Sequence, residues 1–277
     1  MTAPTLHIAE LHIYPVKGCR GIALSTAAVE ARGLRHDRRW MVVRANTGGF
    51  LSQRSHPEMA RICVQVADNG TLTFATDGGD FTLPFAPDSE LRRRAVSVWS
   101  FHGDALDCGD DAAAFFGDVL RLPVRLVRVP DDFARRVNPK YAVTEGDGTG
   151  FADGFPVLLV SDASLTDLNA RLAVPVPMDR FRPNVVVSGA MRAWEEDEWR
   201  EVAIGGIRFH NVKPCDRCAV PTIDQHTGAK TGAEPIATLA TFRRDEASGK
   251  VLFGINLIPG VGAGGRIVRV GDPVRVE

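Results

Sequence analysis

Apolar and polar positions alternate with period two through LHIAELHIYPV (6–16), RRWMVVRA (38–45), RICVQVA (61–67), GTLTFAT (70–76) and GDFTLPF (79–85), with Gly, Asp or Asn between the runs. That period predicts short strands, because successive side chains of a strand face opposite ways. Phe115, Phe116, Val119 and Leu120 recur at helical spacing, after Asp110 and Asp111 and before Pro123, and predict one amphipathic helix. VRLVRV (124–129) reads as a strand, and residues 131–155, rich in Gly, Asp and charge with little periodicity, as a long surface loop, a candidate lid or domain seam. PVLLVSDASLTDLNARL (156–172) predicts a buried strand running into a helix whose start is marked by Ser161, Asp162 and Ser164. The last third returns to strands at 182–189, 199–212, 219–224, 251–259 and 266–276, a series that suits a small closed barrel. The acidic run Glu195, Glu196, Asp197 and Glu198 could bind a cation, but reads first as a solvated loop.

Composition narrows the class of partner. Charged residues make up 24% of the 277 and hydrophobic residues 44%, the proportions of a folded soluble protein. With 33 basic against 34 acidic side chains there is no excess charge to neutralise a nucleic-acid backbone, and no polybasic run for a membrane surface. No apolar run is long enough to span a bilayer and the N-terminus lacks a leader pattern, so a cytoplasmic protein is expected. Cys19, Cys63, Cys108, Cys215 and Cys218 are odd in number and scattered, which argues for free thiols over a disulfide framework.

The segment KPCDRCAVPTIDQHTG (213–228) concentrates the candidate chemistry. Cys215 and Cys218 form a C-x-x-C pair beside Lys213 and Arg217, cations that favour the thiolate, the form that ligates metals. Spacing alone leaves several readings open. Zinc would need two further ligands, and His210 and His226 do not complete a familiar pattern. A redox dithiol belongs at a helix start, whereas Ala219–Ile223 reads as a strand; two buried thiols also fit. Asp224 could act as a general acid or base, or simply form the turn before Thr227 and Gly228. No G-x-S-x-G elbow is present, and GVGAGGRI (260–267) lacks both the spacing and the context of a dinucleotide loop.

Taken in order, YPVKGCRG, GLRHDRRWMVV, LLVSDASLTDLNARL, FRPNVVVSG, KPCDRCAVPTIDQHTG, LFGINL and VGDPVRV resemble MOSC proteins that carry an N-terminal β-barrel domain, such as the amidoxime-reducing and hydroxylaminopurine-detoxifying members. The resemblance implies a β-rich α+β fold. Residues 1–122 would form the N-terminal β-barrel domain, packed on a MOSC β-barrel over 123–277 with a few flanking helices. It implies a molybdenum cofactor whose metal is held by Cys218. Around the anionic pterin it places Lys17, Gly18 by its backbone, Arg38, Ser161, Arg182, Asn184, Arg217 and Asn256. The implied activity is reduction of N-hydroxylated compounds such as amidoximes, hydroxylamines and N-hydroxy bases. The chain ends at Glu277 without a cysteine-rich module, so electrons would come from a separate ferredoxin, flavoprotein or cytochrome. The competing readings are a carrier of persulfide or pterin that performs no redox turnover, and a barrel that only binds.

Overall fold

The computed structural model describes residues 5–189 and 192–277. The first four residues of the leader reading lie outside the described residues. The architecture is β-rich, as expected, and among the described residues it has three α-helices, α1 (Asp110–Leu120), α2 (Asp162–Asn169) and α3 (Ile236–Phe242), of which the first two match the sequence reading.

Its largest sheet has eight strands in the order Val274–Val276, Glu201–Ile204, Ile207–Asp216, Leu252–Pro259, Val157–Ser161, Val185–Ser188, His7–Ile13, Ile22–Leu24. Val157–Ser161 and Val185–Ser188 run parallel, with α2 between them in sequence. The first strand of the chain therefore joins a sheet made mostly of the C-terminal half, through pairs such as Leu11 with Val185. One face of this sheet buries Ile8, Leu11, Val185, Phe209 and Leu257. The other packs Val160, Val186 and Phe253 against Leu168 of α2 and Leu239 of α3.

A second sheet of five strands, Arg93–Val98, Phe101–Asp107, Val124–Arg128, Trp40–Arg44 and Val16–Lys17, is the core of the N-terminal part. Trp40 and Val42 enter one apolar cluster with Phe74 and Phe116, whereas Met41 and Val43 enter another with Phe133 and Phe151. Burial on both faces explains the unbroken apolar run of that strand. Val124–Arg128 pairs along its whole length with Trp40–Arg44 although it lies just after residue 122.

Two expectations are corrected. Ala219–Asp224 is not a strand: Val220–Thr222 forms a 3-10 turn, because Pro221 has no N–H for a ladder and the Val220 N–H turns back to Cys218. The acidic run is a 3-10 turn over Glu195–Glu198 in which Glu196 is fully buried rather than solvated. Its carboxylate accepts from the hydroxyls of Ser161 (3.0 Å) and Ser164 (2.7 Å) at the start of α2. Helix α3 escaped the sequence reading because it is seven residues long and carries β-branched Ile236, Thr238 and Thr241. Among the described residues no helix is long and apolar enough to cross a membrane.

Candidate functional site

Tyr14 follows the first strand of the eight-stranded sheet and is almost wholly buried. The Arg38 and Arg182 guanidiniums each lie 4.2 Å from its ring centroid, a cation–π arrangement. Both arginines are in the left-handed region, with φ of 48° and 56°, so the chain bends sharply to bring them there. Asp37 neutralises Arg38 at 2.7 Å and also accepts from the Tyr14 N–H at 2.8 Å. Arg182 has no carboxylate within ion-pair distance among the described residues; it donates to Gln225 Oε1 (3.0 Å) and to the carbonyl of Cys19 (2.8 Å). Burial pulls its pKa down to about 10, so it remains a cation at neutral pH.

Lys17 ends the strand Val16–Lys17 and is only 7% exposed. Its ammonium, disfavoured first by burial, is supported by an ion pair with Asp153 from the 131–155 loop. Arg135 holds that loop in place by donating to the carbonyls of Gly150 (2.8 Å) and Asp153 (2.7 Å). The loop therefore touches both sheets, with Tyr141 lying 5.6 Å below the Lys213 ammonium and edge-on to Phe155. Gly18 follows with φ of 88°, and a Cβ there would come 2.9 Å from the Met59 methyl, so only glycine fits without strain.

On the far side, Cys215 lies in the strand Ile207–Asp216 and Cys218 just beyond it. Cys218 is partly exposed, and its sulfur accepts the Val220 N–H at 3.5 Å. Arg217 donates to Cys215 Sγ (3.2 Å) and to the Phe181 carbonyl (2.7 Å), and its buried Nε has no partner among the described residues. Cys215 has its thiol pKa raised, chiefly by burial and against the pull of Arg217, which keeps it protonated at neutral pH. Asp224 accepts from the backbone and hydroxyl of Thr227 and from the His226 N–H, and pairs with Arg180 at 3.1 Å. Those donors hold its pKa down to about 2.

The expected residues thus fall into two groups. Lys17, Gly18, Arg38 and Arg182 form one group, and Arg217, Cys218 and Asp224 a second; Arg182 bonds Gln225, the neighbour of Asp224 in the chain, and Arg217 bonds the carbonyl of Phe181, the neighbour of Arg182. Asn256 pairs across the sheet with Lys213, its amide 3.4 Å from the Pro214 carbonyl. Asn184 is internal: its amide accepts from Arg38 and the Leu158 N–H and donates to the His12 carbonyl, so it braces Arg38. Ser161 lies apart, its hydroxyl spent on Glu196, Ser164 and the cap of α2. Tyr14, Asp37, Trp99, Arg135, Asp153 and the hydrogen-bonded pair Gln53–Gln225 were not foreseen. Asp37 adjoins Arg38 in the chain and could have been noticed; Lys17 and Asp153 are 136 residues apart and carry no local signal.

Among the described residues no three His, Cys, Asp or Glu side chains gather as a metal cage would, whereas a pterin-bound metal needs a single thiolate from the protein. The donor set fits an anionic pterin: the buried Arg182 and the half-buried Arg217 lack carboxylate partners among the described residues, and Lys17 and Arg38 stand with Arg182. A cleft of about 520 Å³ lies elsewhere, between Arg32, Arg35, His36, Phe85 and Arg128, and holds none of the expected residues.

A β-rich fold with a group of basic residues beside a partly exposed cysteine defines the class, and the comparisons agree with it. The MOSC N-terminal beta barrel domain matches residues 5–123 and the MOSC domain residues 147–275. The mitochondrial amidoxime reducing component 2 of Homo sapiens is 32% identical over 277 residues, spanning 96% of this chain and 82% of the relative. The mitochondrial amidoxime-reducing component 1 of Homo sapiens is 34% identical over 284 residues, with the same two coverages of 96% and 82%. The molybdenum cofactor sulfurase of Oryza sativa subsp. japonica is 29% identical over 270 residues, covering 91% of this chain and 32% of that protein. The chain belongs to the MOSC family.

Proposed function

We propose that the protein is a molybdenum-cofactor-dependent oxidoreductase that reduces N-hydroxylated compounds with electrons from a separate redox protein. The observation that carries this reading is the gathering of Lys17 and Arg182, both buried, with the part-buried Arg38, together with the bond from Arg217 to the Phe181 carbonyl that brings the partly exposed Cys218 alongside them. When bound, the cofactor supplies the two-electron chemistry in which an N–O bond is cleaved, two protons are taken up and water leaves.

This chain's residues supply the rest. Cys218 offers its sulfur as the ligand, oriented by the Val220 N–H that it accepts. Arg38, Arg182 and Lys17 clamp the anionic part of the pterin, and Asn184 and Asp37 hold Arg38 in its orientation. Cys215 stays a neutral thiol against Arg217. Asp224, ionised at neutral pH, has no proton to give; it shapes the turn after Cys218 and anchors Arg180. Protons for the product then come from solvent at the half-exposed end of the site.

The test is metal content together with turnover. Protein purified from cells with an intact cofactor supply is expected to carry molybdenum at about one atom per chain and to reduce an N-hydroxy compound with dye-supplied electrons. Cys218→Ser is expected to lose both properties, whereas Cys215→Ser keeps most of each. Wild-type activity in Cys218→Ser refutes the ligand assignment, and a protein-bound persulfide without turnover favours a sulfur carrier.

A further inference from the structure

Trp99 combines three properties that seldom coincide. It is 45% exposed, its backbone sits at φ 55° where glycine or asparagine is ordinarily found, and its ring is held from three sides. The indole N–H donates to Asp153 Oδ1 at 3.2 Å, the Arg54 guanidinium covers the ring at 4.2 Å, and Phe50 meets it edge-on at 4.9 Å. A tryptophan needed only to close the hairpin between Arg93–Val98 and Phe101–Asp107 would avoid that backbone strain and bury its ring. Here the strain fixes a large aromatic surface in an open position.

That surface adjoins the candidate site. Asp153 Oδ1 is shared between Trp99 and Lys17, and Lys17 also lies 5.2 Å from the ring of Phe50. Asp153 keeps its side chain 66% exposed, and its second carboxylate oxygen accepts no hydrogen bond from the described residues. The loop that carries Asp153 continues to Phe155, which packs on Tyr141 under Lys213, two residues before Cys215. An aromatic ring that stays 45% exposed with Arg54 on one face, and an open acceptor, thus stand together beside Lys17.

We propose that Trp99, locked by Asp153 and Arg54, is the stacking wall of the substrate entrance and sets a preference for planar aryl over alkyl N-hydroxylated compounds. The proposal rests on the reductase reading above and adds residues that determine specificity. Stacking acts on binding rather than on bond cleavage, so it separates KM from kcat.

The test compares cofactor-loaded wild type with Trp99→Ala and Trp99→Phe. Benzamidoxime and acetamidoxime serve as substrates, and calorimetric binding of benzamidine as a readout without turnover. Trp99→Ala is expected to raise KM for benzamidoxime roughly tenfold, with kcat within about twofold and KM for acetamidoxime unchanged. Benzamidine affinity should fall by a similar factor, and Trp99→Phe should restore most of both. Equal KM changes for the two substrates, or no change for benzamidoxime, overturn the wall. If the wild type reduces neither amidoxime but binds benzamidine in a Trp99-dependent way, the wall stands and the reductase reading fails.

Discussion

Glu196 is a fully buried carboxylate whose partners are neutral hydroxyls, and that makes its protonation an energetic switch for the domain. Burial raises its pKa above the ordinary glutamate value, against the lowering effect of Ser164 and Ser161. A raised carboxyl pKa means the folded chain keeps the proton to higher pH than the unfolded chain. The stability from this group is therefore full below the ordinary carboxylate range and declines as pH rises through the shifted value. Glu196→Gln removes the buried charge and is expected to stabilise the protein at neutral pH by on the order of 1 kcal/mol. The gain should shrink towards acid pH, measured as thermal midpoints from pH 4 to 8. A gain that does not vary with pH contradicts a buried, titrating carboxylate. Such a role is invisible in a run of four acidic residues, where periodicity and charge suggest water on every side.

Single glycines decide how elements approach one another. Gly33 opens the short strand Gly33–Leu34 at φ 103°, and a Cβ there would lie 2.3 Å from the carbonyl oxygen of Pro156. The N-terminal hairpin is thereby pressed against the residue before Val157–Ser161, the strand that leads into α2. Gly33→Ala brings both a left-handed backbone and a backbone clash that no side-chain rotation relieves. We expect it to cost about 2–4 kcal/mol in urea unfolding. A loss below about 0.5 kcal/mol would mean the approach is loose. The helix-start signal at Ser161 was legible because capping is local, and the structure shows its hydroxyl accepting the Ser164 N–H at 3.1 Å. The 3-10 turn after Cys218 was not legible, since apolar Ala219, Val220 and Ile223 also suit a strand.

At the scale of the whole molecule, the two halves exchange strands. His7–Ile13 places Ile8, Leu11 and Ile13, all at most 2% exposed, in the core of the sheet that holds Cys215. Val124–Arg128 returns the exchange by completing the sheet of Trp40–Arg44. A fragment of residues 123–277 would lose the apolar contribution of His7–Ile13, Val29 and Leu34 and leave Val185–Ser188 an open edge. It is expected to show no cooperative thermal transition by circular dichroism, whereas the full chain melts in one. A cooperative melt of the fragment would show that the first strand is dispensable. The expected division at residue 122 thus follows the order of the chain, and the hydrogen-bond ladders cross it in both directions.

By itself the sequence determined the class of fold, most strands, two of the three helices and the cysteine pair with its neighbouring cation, because periodicity, capping and short spacings act over a few residues. Tertiary structure decided which charges remain without a counterion, that Ser161 and Asn184 are spent on internal hydrogen bonds, that Glu196 is sealed, and that Trp99, Asp153 and Lys17 meet. Those outcomes depend on desolvation and on contacts between residues far apart in the chain, and neither has a local period to read.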